Sequence, residues 1–159
     1  MNWVLADRKY TWTETAKQGL VWYAIPNIPY FSDFDLTVEG QRTGGTEDST
    51  YGVVFRVVGN DYYMFGVNEV RGFSFLALVQ GTWVSLVDRT ASSAIKSGAA
   101  NRIAVSARGG HFTFFINERA VGEFDDTRIP SGRAGVIINL HRAGDRAVFQ
   151  FSNFEMRAQ

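Results

Sequence analysis

From Tyr51 to Asp88 the chain reads as four short extended runs, TYGVVFRVV, DYYMFGVN, GFSFLALVQ and TWVSLVD, separated by Gly59-Asn60, Glu69-Val70-Arg71-Gly72 and Gln80-Gly81. Connections this short join antiparallel neighbours, because a parallel return needs a crossover of about a dozen residues or more. The stretch is therefore expected to be an antiparallel meander. Successive side chains of a strand point to opposite faces, so Tyr51, Val53, Phe55 and Val57 share one face and Gly52, Val54, Arg56 and Val58 the other. The next run divides in the same way into Tyr63, Phe65 and Val67 against Tyr62, Met64, Gly66 and Asn68. One face is wholly apolar and the other mixed, the pattern of a sheet buried on one side and partly wet on the other. Arg56, Tyr62 and Asn68 are the expected outward groups.

The rest of the chain continues the theme. Trp3-Val4-Leu5-Ala6, Tyr10-Thr11-Trp12-Thr13 and Leu20-Val21-Trp22-Tyr23-Ala24 are short strand candidates ahead of the irregular Ile25-Pro26-Asn27-Ile28-Pro29, where two prolines remove ladder donors. Asp35 to Arg42 alternates apolar and polar residues, Asn101–Ala107 and His111–Asn117 flank Arg108-Gly109-Gly110 as a hairpin, and a last strand runs from about Ala147 to Arg157. No sustained helical period appears. A dozen short strands, 16 glycines and 14% aromatic residues point to an all-β, two-sheet antiparallel β-sandwich. A length of 159 residues fits one domain, taken as residues 1–159. Phe73-Ser74-Phe75-Leu76-Ala77-Leu78-Val79 is nearly continuous in apolar residues, as in a strand covered on both faces or one whose second face is a shallow apolar concavity.

The order of motifs YGVVFRVVGNDYYMFGV, then NRIAVSARGGHFTFFINERAVGEF, then SGRAGVIINL and FSNFEMR resembles the concanavalin A-like lectin/glucanase superfamily. More narrowly, it is similar to laminin-G-like and keto-disaccharide-hydrolase-like bacterial jelly-roll domains. The resemblance covers roughly Ser32 to Arg157 and rests on core and turn patterns, so it implies a jelly roll and says little about activity. It also implies that the last strand pairs with an early one. Two departures stand out: Asn117-Glu118-Arg119 replaces an Asn-Gly hairpin, and Ser152-Asn153-Phe154 replaces Asp-Asn-Phe.

Several function classes are disfavoured. Sixteen basic residues balance sixteen acidic ones, which removes the long-range attraction expected of a dedicated nucleic-acid binder. Cysteine is absent, so no disulfide framework or thiolate chemistry is available, and neither a secretion signal nor an apolar run long enough for a membrane helix is visible. Cellular location is left open. Glycoside hydrolysis needs two carboxyl groups about 5–10 Å apart. The densest acids, Glu123, Asp125 and Asp126, fall at a strand end, and the Glu-x-Asp-x-Glu string of the glucanase branch is missing. His111 and His141 are the only histidines and lack ligand-type spacing. No cofactor is expected; calcium, which several members of the superfamily bind through loop oxygens, has Thr46-Glu47-Asp48-Ser49 and Asp125-Asp126-Thr127 as its candidate donors.

What remains is recognition. Sugar rings stack apolar faces on aromatic side chains while polar neighbours bond their hydroxyls. The expected ligand-binding residues are Arg56, Tyr62, Asn68, Gln80, Trp83 and Asn139, with Trp12 and Trp22 as further aromatic candidates. The function expected is a non-catalytic module for carbohydrate, working through a partly exposed aromatic and polar sheet face. The alternative is a protein-interaction or structural accessory domain of a larger surface assembly, and a glycoside hydrolase of the same fold ranks last.

Overall fold

The computed structural model of the chain describes residues 2–5, 10–18 and 20–159. Among these there are thirteen strands and no helix: β1 (Asn2–Leu5), β2 (Tyr10–Thr15), β3 (Leu20–Ala24), β4 (Phe34–Gly45), β5 (Ser49–Val58), β6 (Asp61–Asn68), β7 (Gly72–Val79), β8 (Thr82–Thr90), β9 (Asn101–Arg108), β10 (His111–Ile116), β11 (Arg119–Asp125), β12 (Arg133–Leu140) and β13 (Arg146–Ala158). They form two antiparallel sheets of the jelly-roll type. The first has the order β1-β13-β4-β9-β10-β11, with β2 also paired to β13, and the second has the order β3-β12-β5-β6-β7-β8. The meander expected from Tyr51 to Asp88 is the β5–β8 half of the second sheet. The last strand pairs with β1, β2 and β4, so early and late segments close the first sheet together.

The face that alternation marks as apolar lies between the sheets. Tyr51, Val53 and Phe55 of β5, Tyr63 and Phe65 of β6 and Phe75 of β7 are fully buried against Phe34 and Leu36 of β4, Phe112 and Phe114 of β10, and Phe149 and Phe151 of β13. Ring centroids of Phe114 lie 4.6 Å from Phe75 and 4.7 Å from Phe65, and Tyr63 sits 5.1 Å from Phe112. Each such pair adds about 0.5–1.5 kcal/mol beyond the area it buries.

Three of the groups expected to point outward do not reach solvent, each for a different reason. Arg56 is 1% exposed. The ladder shifts register on both sides of it, between Phe55 and Val58 against β6 and between Val54 and Val57 against β12, and its φ is +50°. A bulge in β5 thus breaks the two-residue alternation and turns the guanidinium inward over the end of the sandwich. There it donates to the carbonyl oxygens of Ile129 at 3.0 Å, Ser32 at 2.7 Å and Gly109 at 2.5 Å, and its carbon lies 4.8 Å above the Phe112 ring. Gly132 makes this approach possible, because a Cβ there would stand 2.3 Å from the Arg56 carbonyl carbon.

Tyr62 does lie on the outer face of the second sheet but is 4% exposed, covered by its neighbours. Its ring meets Tyr23 edge-on at 5.3 Å and Trp83 at 5.8 Å, within a second apolar cluster that includes Val54, Met64 and Ile137. Asn68 is also 4% exposed and is spent on the β6–β7 turn. Its Oδ1 accepts from the backbone N–H of Val70 at 2.9 Å and Arg71 at 3.0 Å, while its Nδ2 donates to Asp48 at 3.0 Å.

Candidate functional site

The outer face of the second sheet carries a cavity of about 520 Å³, within the range of roughly 300–1,000 Å³ usual for small-molecule sites. Strand registers explain its shape. Gly66 of β6 sits mid-face, and a Cβ added to it would come within 2.6 Å of the Thr50 methyl and 3.0 Å of Met64 Cε. The missing side chain opens a trough there. Met64 and Leu76 give the trough an apolar floor, with Ser74 beside them.

At one end, Asn139 and His141 line the cavity from β12 and the residue just beyond it. His141 Nε2 lies 3.0 Å from Thr50 Oγ1, which also takes a 3.3 Å hydrogen bond from Asn68. Burial pushes the imidazole below its ordinary pKa, against the opposing pull of the Asp48 carboxylate. The shift favours the neutral imidazole. Behind it, Asp48 is bonded by Arg71 and has Arg142 at 3.6 Å. Burial raises the Asp48 pKa, but the Arg71 and Asn68 hydrogen bonds and the nearby positive charge outweigh it and hold the carboxyl below its usual value.

At the other end, β8 delivers Ser85, Asp88 and Arg89. Phe73 pairs with Thr90 and Phe75 with Val87, so the single residue Ser74 opposes both Asp88 and Arg89. This bulge puts two consecutive side chains on the cavity side, where regular alternation would send one of them away. Asp88 Oδ1 accepts a 2.7 Å hydrogen bond from Ser85 Oγ. Asp88 is the one carboxylate among the residues lining the cavity, and Arg89 has no hydrogen bond or ion pair among the described residues.

Of the residues singled out in the sequence, Asn139 lines the cavity and Trp83 stands beside it. Trp83 is 45% exposed, with its neighbours Val84 and Leu86 turned to the core. Trp83 pairs with Leu78 and Ser85 with Leu76, so Trp83 is two positions along β8 from the trough on the same face, about 7 Å away. Gln80 is exposed at the β7–β8 turn, its backbone N–H held by Asp61 Oδ1 at 2.8 Å, and it does not line the cavity. Arg56, Tyr62 and Asn68 belong to the support beneath and beside the face. Trp12 is half-buried against Phe151 in the first sheet, and the Trp22 side chain lies outside the described residues.

Of the acids weighed for catalysis or calcium, Glu123, Asp125, Asp126 and Asp48 have other partners. His111 pairs with Asp125 at 2.8 Å and with Glu123 at 3.3 Å on the β10–β11 hairpin. Asp126 accepts from the Tyr63 hydroxyl at 2.5 Å and pairs with Arg128, and Asp48 is taken by Arg71. Among the described residues no group of three His, Asp or Glu side chains could hold a metal. Ser74, Ser85, Asp88, Arg89, Thr50 and His141 were not singled out as ligand contacts. Alternation could have found Ser74 and Ser85, whereas the bulge that recruits Asp88 and Arg89 leaves no mark in sequence.

A scan against protein-family models and a search of curated proteins found no match. Solved structures do match in fold. The carbohydrate-binding module CBM66 from Bacillus subtilis superposes with a TM-score of 0.71 at 16% identity, covering 90% of this chain and 84% of that one. A galectin of Caenorhabditis elegans gives 0.54 at 16% identity over 84% of this chain and 94% of the galectin. A Bacillus licheniformis β-glucanase gives 0.59 at 9% identity over 89% and 78%. The chain thus has the concanavalin A-like jelly-roll fold shared by lectins, binding modules and glucanases.

Proposed function

We propose that the protein is a non-catalytic carbohydrate-binding module whose ligand lies in the trough on the outer face of the second sheet. The observation that carries this reading is the composition of the cavity. An apolar floor of Met64 and Leu76 meets hydroxyl, amide, carboxylate and guanidinium groups that converge from both ends, the combination that suits a molecule with apolar C–H faces and a rim of hydroxyls. Trp83, fixed edge-on by Tyr62, adds a partly exposed aromatic surface along the same face. The fold shared with a carbohydrate-binding module and a galectin is in keeping with this role, although a fold by itself hosts many functions.

Hydrolysis has less support, because among the described residues lining the cavity there is no second carboxyl group to face Asp88. The test is a glycan array followed by tryptophan-fluorescence titration of any hit. Asn139→Ala and Arg89→Ala should each weaken binding about tenfold, the loss of one good polar contact of about 1.4 kcal/mol, and leave the melting temperature unchanged. Unaltered affinity in both variants would remove the trough as the site.

A further inference from the structure

Given a glycan in the trough, as proposed above, we infer that the ligand is an uncharged linear chain of three to four sugar rings lying across the strands and gripped at both ends. The length follows from which strands contribute. Asn139 is on β12 and the Asp88–Arg89 pair on β8, with β5, β6 and β7 between them in the sheet. Four interstrand steps of about 4.8 Å span roughly 19 Å, about the length of a linear chain of three to four sugar rings. A lone ring placed at either end would leave the other polar set without a partner.

The distribution of polarity supports the same arrangement. Asn139 and His141 at one end and Ser85, Asp88 and Arg89 at the other are hydrogen-bonding groups, while the strands between contribute the apolar Met64 and Leu76 with only the two hydroxyls of Thr50 and Ser74. End rings would be held by their hydroxyls and middle rings by their C–H faces. Charge points to a neutral chain. Asp88 and Arg89 emerge from one bulge, so this end carries one charge of each sign. At the opposite end Arg71 and Arg142 both lie against Asp48, Arg142 at 3.6 Å. Burial favours the neutral form of His141. No uncompensated guanidinium pair is left on the lining to select a chain of uronic acids.

Calorimetric titration with oligosaccharide ladders of one to six units tests this, using β-linked glucose and xylose as neutral probes and oligogalacturonate as the acidic one. The neutral ladder that binds should gain at least about tenfold in affinity between two and four units and then level off. Asn139→Ala and, at the far end, Asp88→Asn should each make the rise stop at about two units, and either variant alone suffices if the other fails to fold. A single sugar binding as tightly as the four-unit chain would overturn the extended-chain inference while leaving glycan binding intact. Preference for the acidic ladder would overturn the assignment of a neutral chain. Silence from every ladder, paired with silence on the glycan array, would remove the binding reading on which the inference stands.

Discussion

Arg56 concentrates the physics of single residues in this protein. A charged side chain taken from water costs heavily unless it is hydrogen-bonded, and here three backbone carbonyls from three separate connections accept from its two terminal nitrogens. The guanidinium ties together the segment before β4, the β9–β10 turn and the β11–β12 connection. Its Nε is buried without a partner, and burial lowers its pKa, opposed by the nearby Tyr63 and Asp33. Arg56→Met keeps the length of the stem and strands the three carbonyls. The expected loss of stability is about 3 kcal/mol or more, read from chemical denaturation, with the trough on the outer face unaltered once the protein is folded. A loss under about 0.5 kcal/mol would mean that the three bonds contribute almost nothing. Residue-level reading of the sequence mistook this arginine for a surface group because strict alternation assigns it to the mixed face. The positive φ that reverses it is a tertiary outcome, since Gly132 must approach closely and carbonyls distant in sequence must wait for the donor.

Among the elements, β8 decides the character of the site. An edge strand can bulge without disturbing a neighbour on its far side, and β8 does so twice, passing over one residue at Asp88–Arg89 and one at Leu86. The first bulge turns an ordinary sheet margin into a polar rim for the trough. Ser85 lies on that rim and is exposed, so Ser85→Trp should roof the cavity without entering the core. Binding should fall by about a hundredfold or more, while the melting temperature moves by no more than about 2 °C; retained binding would place the ligand elsewhere. The strands themselves were legible, because period-two patterning and glycine-marked turns are local signals. On the second face of β7, open to two explanations in the sequence, Leu76 floors the trough and Leu78 packs against the apolar cluster around Tyr62. The bulges were not legible, because insertions into a ladder depend on the partner's register rather than on any residue type at the insertion. That is why Asn139 and Trp83, on regular alternation, could be placed on this face from the sequence, and Asp88 and Arg89 could not.

For the molecule as a whole, two histidines give stability opposite dependences on pH. His111, between Asp125 and Glu123, has its pKa raised chiefly by the Asp125 hydrogen bond. Its contribution is therefore fully present below the unfolded value of about 6.5 and is lost as pH rises through the higher folded value. His141 has its pKa lowered by burial, so its contribution is present above about 6.5 and is lost as pH falls toward the lower folded value. Melting curves from pH 5 to pH 8.5 should show His111→Gln differing from the parent most on the acid side and converging with it on the alkaline side. His141→Gln should instead flatten the decline below about pH 6.5; identical profiles for all three proteins would contradict both assignments. The two-sheet architecture was readable from sequence at this scale, since it needs only the count, period and spacing of strands. The site was readable only as a face, because its depth comes from Gly66 lying among side chains of three strands. The central claim is that this face, and not the charged exterior of the first sheet, receives the ligand. Backbone amide NMR shifts recorded while adding the best-binding oligosaccharide test it directly. The account predicts saturable shifts at Thr50, Ser74, Ser85, Asp88, Arg89 and Asn139 with little change along β4 and β9, whereas shifts confined to β4, β9 and β13 would contradict it.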